Sequence, residues 1–367
     1  MSEAAAHLSA TILPEGMGPT DLWIVDGRIT FAPQPDAREL APAGGFVVAG
    51  LVDAHTHLHF VGDPSAPRGR AVVDASRRLH LRAGTLLLRD LGATDDAVLG
   101  LADDDGLPVV HAAGRCLLAE PRAPFFVTAA RELADAAAAQ AKAGARWVKV
   151  FADWPGWPGR QEEPNFSAHD QLTYPTETLA QAVDAAHAAG ARVAIHAFGR
   201  EAAAAGIAAG VDSIEHGWGL DEALLDAMAR QRIAWTPMFG IAAPMLRGAE
   251  QSRDDRQVAW IRDTLVRMNT LLPAANARGV TILAGTDWFP SVTLVDEVTA
   301  LHRHGLAPAV ALAAASSAAR AFLGAPGLVE SAPADLVLFR DDPRDDLRRL
   351  ATPARIVLRG RVVGAEH

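Results

Sequence analysis

From residue 51 to about 330 the chain alternates between short apolar runs and longer helical ones. No other feature narrows the fold as much, because strands joined by helical crossovers bury such a pattern as a parallel sheet. Helical stretches are expected at 75–83, 133–143, 176–189, 201–209, 223–230 and 254–278. They lead into apolar runs at 86–88, 147–151, 192–196, 213–215, 233–236 and 281–283. A further run lies at 108–113, and the run 46–52 opens the series. Each helix is expected to stop at a glycine, as at Gly144, Gly190, Gly210 and Gly279, the residue favoured just past a helix end. Counting the strand that carries His55, eight β/α units over this length predict an α/β chain built on a (β/α)8 TIM barrel.

Both ends of the chain differ from the middle. Leu22 to Val25 and Ile29 to Phe31 flank Asp26-Gly27, a hairpin signal, so a small antiparallel sheet is expected there. Near the other end, Ala334 to Arg340 reads as a strand, and Arg355 to Leu358 and Arg361 to Val363 flank Arg359-Gly360. Neither piece is large enough to bury a core alone. Residues 1–50 and 331–367 are therefore expected to pair into one small β-sandwich, with the barrel, 51–330, inserted between them. Residues 153–175 carry too much Pro and Gly for a helix. A loop of that length after a barrel strand is usually functional, often a lid.

Composition excludes several classes. The 367 residues carry a net charge of −10, with 50% of them hydrophobic, which favours a sizeable core and argues against a general nucleic-acid binder. No Lys/Arg run suggests a membrane patch, and no apolar run reaches the roughly 18 to 20 residues of a membrane helix. Cys116 is the only cysteine, so an intrachain disulfide is impossible, which fits a reducing compartment. The first residues lack a basic segment followed by an apolar one. The expected location is the cytoplasm and the expected partner a small-molecule substrate, with neither nucleic acid nor membrane; self-association into a homo-oligomer is left open.

In a barrel, chemistry gathers at the C-terminal ends of the strands. The first run, Phe46 to Val52, leads into His55-Thr56-His57. Residues i and i+2 of a strand share a face, so the two imidazoles would project together and could grip one metal ion. The other strands end in Lys149, His196, His216 and Asp287. Each has an ordinary reading, a hydrogen-bonded turn histidine or a carboxylate capping a loop. Lys149 is the exception, since a lysine inside an apolar strand is costly unless paired or modified. Together, ligand-type residues at the ends of five strands point to a metal site.

The combination Gly50-Leu-Val-Asp-Ala-His-Thr-His57, Arg89-Asp90-x-Gly92, Val148-Lys149-Val150, Ile195-His196-Ala197, Ile214-Glu215-His216-Gly217, Gly285-Thr286-Asp287 and Pro333-Ala-Asp-Leu-Val resembles the amidohydrolase superfamily, in its prolidase-like and imidazolonepropionase-like branch. The resemblance spans nearly the whole chain and says little about substrate. It implies a hydrolase of an amide-type C–N bond, with a dipeptide or N-acyl amino acid as leading substrate class. It implies that His55, His57 and Asp287 bind one zinc ion and His196 and His216 a second. Lys149, carboxylated on its amine, would bridge the two. The alternative is an unmodified Lys149 with one metal, and with it a cyclic amide or imidazolone-type ring as substrate. Lactone or ester hydrolysis and a non-catalytic scaffold are the remaining readings. A metal of this kind yields hydroxide near neutral pH, and Asp287 would accept the proton and deliver it to the leaving nitrogen. Asp53 and Asp90 are expected either to orient histidine rings or to cap turns.

The sequence departs from relatives at Trp288, where a small residue is usual, and at Ala315 and Ser317, where Thr and Asn are usual. Candidate substrate contacts are His59, His111, Arg200, Trp154, Trp157 and Trp288.

Overall fold

The computed structural model describes residues 5–41, 44–60, 69–93, 95–101, 103, 106–119, 128–154 and 172–364. Both ends of the chain do meet in one sheet. Strand Gly45–Ala49 lies at its centre, antiparallel to Leu336–Phe339 on one side, with Val48 opposite Val337, and parallel to Ala6–Ile12 on the other. The hydrogen-bonded path through its eight strands is continuous, and one expectation needs correction. The N-terminal part is mixed, because the chain crosses back before Arg38–Glu39 and Gly45–Ala49 pair, and so meets Ala6–Ile12 in parallel.

Alternation along the strands gives the sheet two buried faces. Leu8, Leu22, Ile24, Val47, Leu336, Leu338 and Val357 pack into a core of their own. Their neighbours Val48, Val337, Phe339, Ile356 and Leu358 point the other way, into the main core. The two hairpins turn through Asp26-Gly27 and Arg359-Gly360, all four residues at positive φ, as a type I′ turn requires. The turns pack on each other: a Cβ at Gly360 would lie 2.6 Å from the Gly27 Cα.

The middle of the chain is α/β with parallel strands throughout. Leu51–Thr56, Thr85–Asp90 and Val109–Ala112 form a three-stranded sheet. Trp147–Phe151, Arg192–Ala197, Ser213–His216 and Ala234–Thr236 run side by side in a six-stranded one, flanked by the short strands Leu117–Leu118 and Thr128–Ala129. These strands are buried on both faces, hence their apolar runs. A backbone bond from Arg146 N–H to Ala112 O at 2.9 Å joins the two sheets.

The expected single closed ladder of eight strands is not found among the described residues. The run expected as the eighth strand, 281–283, makes only an isolated bridge, Ile282 to Trp235. The reason lies in a helix further along the chain. Ala284 N–H donates to Ala314 O and Val52 N–H to Ala315 O, at 2.9 and 2.8 Å, so the end of helix Pro308–Ala314 takes bonds that a ladder would use. Ala54 N–H still reaches Ala284 O at 2.9 Å, which ties this segment to the His55 strand.

Helix bounds follow the expected periods, with Leu133–Lys142, Thr176–Ala188, Arg200–Ala209 and Asp255–Ala277. The glycine rule has an exception. Glu222–Gln231 ends on Arg232, a non-glycine at φ 58°.

Glu297, on helix Leu294–Arg303, is fully buried. One oxygen accepts from Gly240 N–H at 2.8 Å, while Oε1 has no hydrogen-bond partner among the described residues. Burial pushes its carboxyl up to about 8, against the backbone donors that favour the anion. A raised carboxyl holds its proton in the folded state after the unfolded chain has released it. Stability is then fully present below the ordinary carboxylate range and lost as pH rises towards 8. Glu297→Gln removes this dependence. The variant is expected to gain on the native protein between pH 5 and 8, by roughly 4 kcal/mol at most, and to level off above. Parallel curves of melting temperature against pH would contradict it.

Candidate metal centre

His55 and His57 project from the end of strand Leu51–Thr56 as period-two neighbours. Each has its Nδ1 committed. His55 Nδ1 donates to Glu215 Oε2 at 2.7 Å, and His57 Nδ1 to Gly92 O at 2.8 Å. Both Nε2 atoms are left facing Asp287 Oδ1, at 3.7 Å from His55 and 3.1 Å from His57. The three residues offer ligand atoms within 4.8 Å of one another, a donor set of two imidazoles and a carboxylate that suits a divalent transition metal.

Asp287 reaches the site because its loop turns sharply. Its φ is 57°, and a Cβ at Gly285 would lie 2.6 Å from the His55 Cβ, so only glycine permits that approach. Asp53 clamps the loop to the strand, accepting from Thr286 Oγ1 at 2.6 Å, Thr286 N–H at 3.1 Å and His55 N–H at 3.2 Å. Asp90 accepts from Leu58 N–H at 2.8 Å and Gly92 N–H at 3.1 Å. Of the two roles expected for these aspartates, the turn-capping one fits: they hold backbone, while Glu215 and the Gly92 carbonyl hold the rings.

His196 and His216 end strands Arg192–Ala197 and Ser213–His216. Their rings lie 4.6 Å apart, and His216 lies 5.9 Å from His55. They and Lys149 border the trio without joining its group of three. Lys149, on Trp147–Phe151, is fully buried, and neither its Nζ nor His216 Nδ1 has a hydrogen-bond partner among the described residues. Such orphaned atoms are rare in a folded interior, and beside a cluster of donors they fit a site that takes a metal.

The electrostatics agree. Burial holds His55 and His216 well below the ordinary imidazole range, helped by the Lys149 charge, so both are neutral, the form that ligates. Burial also draws the Lys149 amine down. His57 and Asp287 act as a pair. Burial opposes charge on each, yet their mutual hydrogen bond and attraction raise His57 and lower Asp287.

Aromatic rings surround the second histidine pair. Phe151 stacks on His196 at 4.6 Å, and Phe198 on His216 at 4.3 Å. Of the candidate substrate contacts, Trp154 lies 5.7 Å from the His196 ring and His59 lies 6.0 Å from the His57 ring. Trp288 packs against the cluster of Phe198, Trp218 and Ile261. Two candidates have partners of their own. His111 is held by the Arg146 guanidinium at 2.6 Å, and Arg200 is an exposed partner of Asp221 at 2.7 Å, as its polar type alone would suggest. Trp157, and most of the loop expected as a lid, lie outside the described residues. Ala315 contributes its carbonyl to Val52, and the Ser317 hydroxyl faces Glu15 at 3.4 Å.

The sequence reading passed over three residues. Arg89 and Glu215 form a fully buried ion pair at 2.9 Å, and Asp153 accepts from the Phe198 and Gly199 N–H groups at 2.9 and 2.6 Å while facing His196 Nε2 at 3.5 Å. The available signal was charge inside an apolar strand: Arg89 after three leucines and Glu215 after Ile214 call for a partner.

A trio of two imidazoles and a carboxylate suits a metal-dependent enzyme. The amidohydrolase family's sequence pattern matches residues 46–363, and the chain belongs to that family. It is 37% identical over 369 aligned residues to the uncharacterized protein Rv2915c of Mycobacterium tuberculosis, spanning 98% of this chain and 95% of that one. It is 25% identical over 280 residues to ochratoxinase of Aspergillus niger, spanning 72% of this chain and 57% of that one. A solved structure of a putative prolidase from Bifidobacterium longum superposes with a TM-score of 0.82 at 27% identity, over 100% of this chain and 97% of the other. No helix of the described residues is long and apolar enough to cross a membrane.

Proposed function

We propose that this chain hydrolyses an amide-type C–N bond of a small molecule, with a dipeptide or N-acyl amino acid as substrate class. The observation that carries the reading is the convergence of His55, His57 and Asp287 beside a buried Lys149 amine that has no hydrogen-bond partner among the described residues. The names prolidase and ochratoxinase borne by similar proteins support it. We read the strands as a barrel of the TIM type, opened where Ala314 and Ala315 intrude.

His55, His57 and Asp287 would hold one zinc ion, and His196 and His216 a second, with Lys149 carboxylated between them. Bound there, zinc lowers the pKa of water towards about 7 and polarises a carbonyl. Asp287 accepts the proton of the attacking water and returns it to the leaving nitrogen, general base becoming general acid. Phe151 and Phe198 cover His196 and His216 and keep bulk water from them. Trp154, His59 and Trp288 are the proposed substrate contacts.

A second reading has one ion and an unmodified Lys149, with a cyclic amide as substrate. Among the described residues, His55, His57 and Asp287 are the one group of three with ligand atoms so close, which favours it. The test is hydrolysis of a panel, read as newly formed amine from X-Pro dipeptides, N-acyl amino acids and cyclic amides and as newly formed acid from lactones, with and without chelator. Release from the first two classes, abolished by chelation and restored by zinc, is expected. Turnover that survives chelation, or none from any amide by zinc-loaded protein, would overturn the reading.

A further inference from the structure

We propose that Arg89 and Glu215 are positioning residues that set the metal affinity of the His55–His57–Asp287 trio by fixing the His55 ring. The inference rests on the reading of His55 as a ligand. Glu215 is fully buried, and its two oxygens face different partners. Oε2 accepts from His55 Nδ1 at 2.7 Å. Oε1 accepts from Arg89 Nη2 at 2.9 Å and from Ser213 Oγ at 2.5 Å.

Arg89 is equally buried. Its Nη1 donates to Ser213 Oγ at 2.8 Å, its Nη2 also to Thr236 Oγ1 at 3.2 Å, and its Nε to Ala54 O. The guanidinium lies over the Trp147 ring, 4.5 Å from its centroid, a contact that favours a desolvated cation. Arg89 thus reaches across from strand Thr85–Asp90 to Ser213–His216 and Ala234–Thr236, and Glu215 carries the connection on to His55.

The chemistry follows from proton counting. A carboxylate has no proton to give, so the His55 Nδ1 carries it and the Nε2 lone pair is left for a metal, 3.7 Å from Asp287 Oδ1. A buried carboxylate is costly alone; Arg89 supplies the opposite charge. His57 is held by a neutral carbonyl, Gly92 O at 2.8 Å. The two imidazoles are therefore unequal. His55, backed by an anion, is the more electron-rich ligand, and its ring cannot turn without breaking the ion-pair network.

Glutamine at 215 offers one acceptor oxygen where two are used, so either His55 or Arg89 loses its partner. The test is the zinc dissociation constant of metal-depleted protein, by competition with a chromophoric chelator, for the native chain and Glu215→Gln. The constant is expected to rise on the order of 10- to 100-fold. A side chain that merely held strands together would lower the melting temperature and leave the zinc affinity of folded protein unchanged. That result overturns the proposal and leaves the metal reading intact, whereas a native chain that binds no zinc overturns both. Should Glu215→Gln fail to fold, proton NMR of the metal-free native chain decides. A low-field imidazole N–H resonance, absent from His55→Gln, is expected; its absence from the native chain overturns the proposal.

Discussion

Asp287→Asn is expected to keep its metal and to lose at least about a hundredfold in turnover, the usual scale for removing a general base. The substitution is conservative where the structure is demanding. Asp287 adopts φ 57°, a conformation that asparagine tolerates better than most residues. The amide retains an oxygen to face the His57 and His55 Nε2 atoms, which stand 3.1 and 3.7 Å from Asp287 Oδ1. What it loses is the ability to take up a proton and hand it on. Metal content measured beside kcat separates the two effects. Full activity in the variant would remove Asp287 from its role as proton carrier.

The second large effect is expected at Lys149. Lys149→Ala should lose both metal and activity, and short carboxylic acids should restore part of each. Lys149 is 1% exposed, and its Nζ has no hydrogen-bond partner among the described residues. An ammonium there would repel two cations, whereas burial draws the amine down from its ordinary value towards the neutral form that reacts with CO₂. The carbamate is an anionic, bidentate ligand. Alanine leaves the space of the side chain open, and a small carboxylate can supply the same two oxygens. Unchanged activity and metal content in Lys149→Ala would leave a bridging role untenable.

What was legible in the sequence was local. Strand and helix periods placed Trp147–Phe151 and five of the six expected helices to within a residue or two, because apolar repeats and glycine stops act over a few positions. The histidine pair was legible for the same reason, since residues two apart on one strand share a face. Asp287 followed from the rule that strand ends converge. What was not legible depends on distant partners. Arg89 and Glu215 are separated by 126 positions, and nothing near either names the other. The loss of a regular eighth strand at 281–283 reflects the Ala314 and Ala315 carbonyls, which belong to a helix end further along the chain. His111 and Arg200 looked like substrate contacts by position, and each has a partner, Arg146 and Asp221, whose placement no local pattern gives.

The central claim is a metal site, and metal content per chain tests it most directly. Elemental analysis of protein purified without chelator from zinc-supplemented cells should find about two ions per chain, the number that fills both histidine pairs across Lys149. No bound metal, even after incubation with zinc and bicarbonate, would contradict the account.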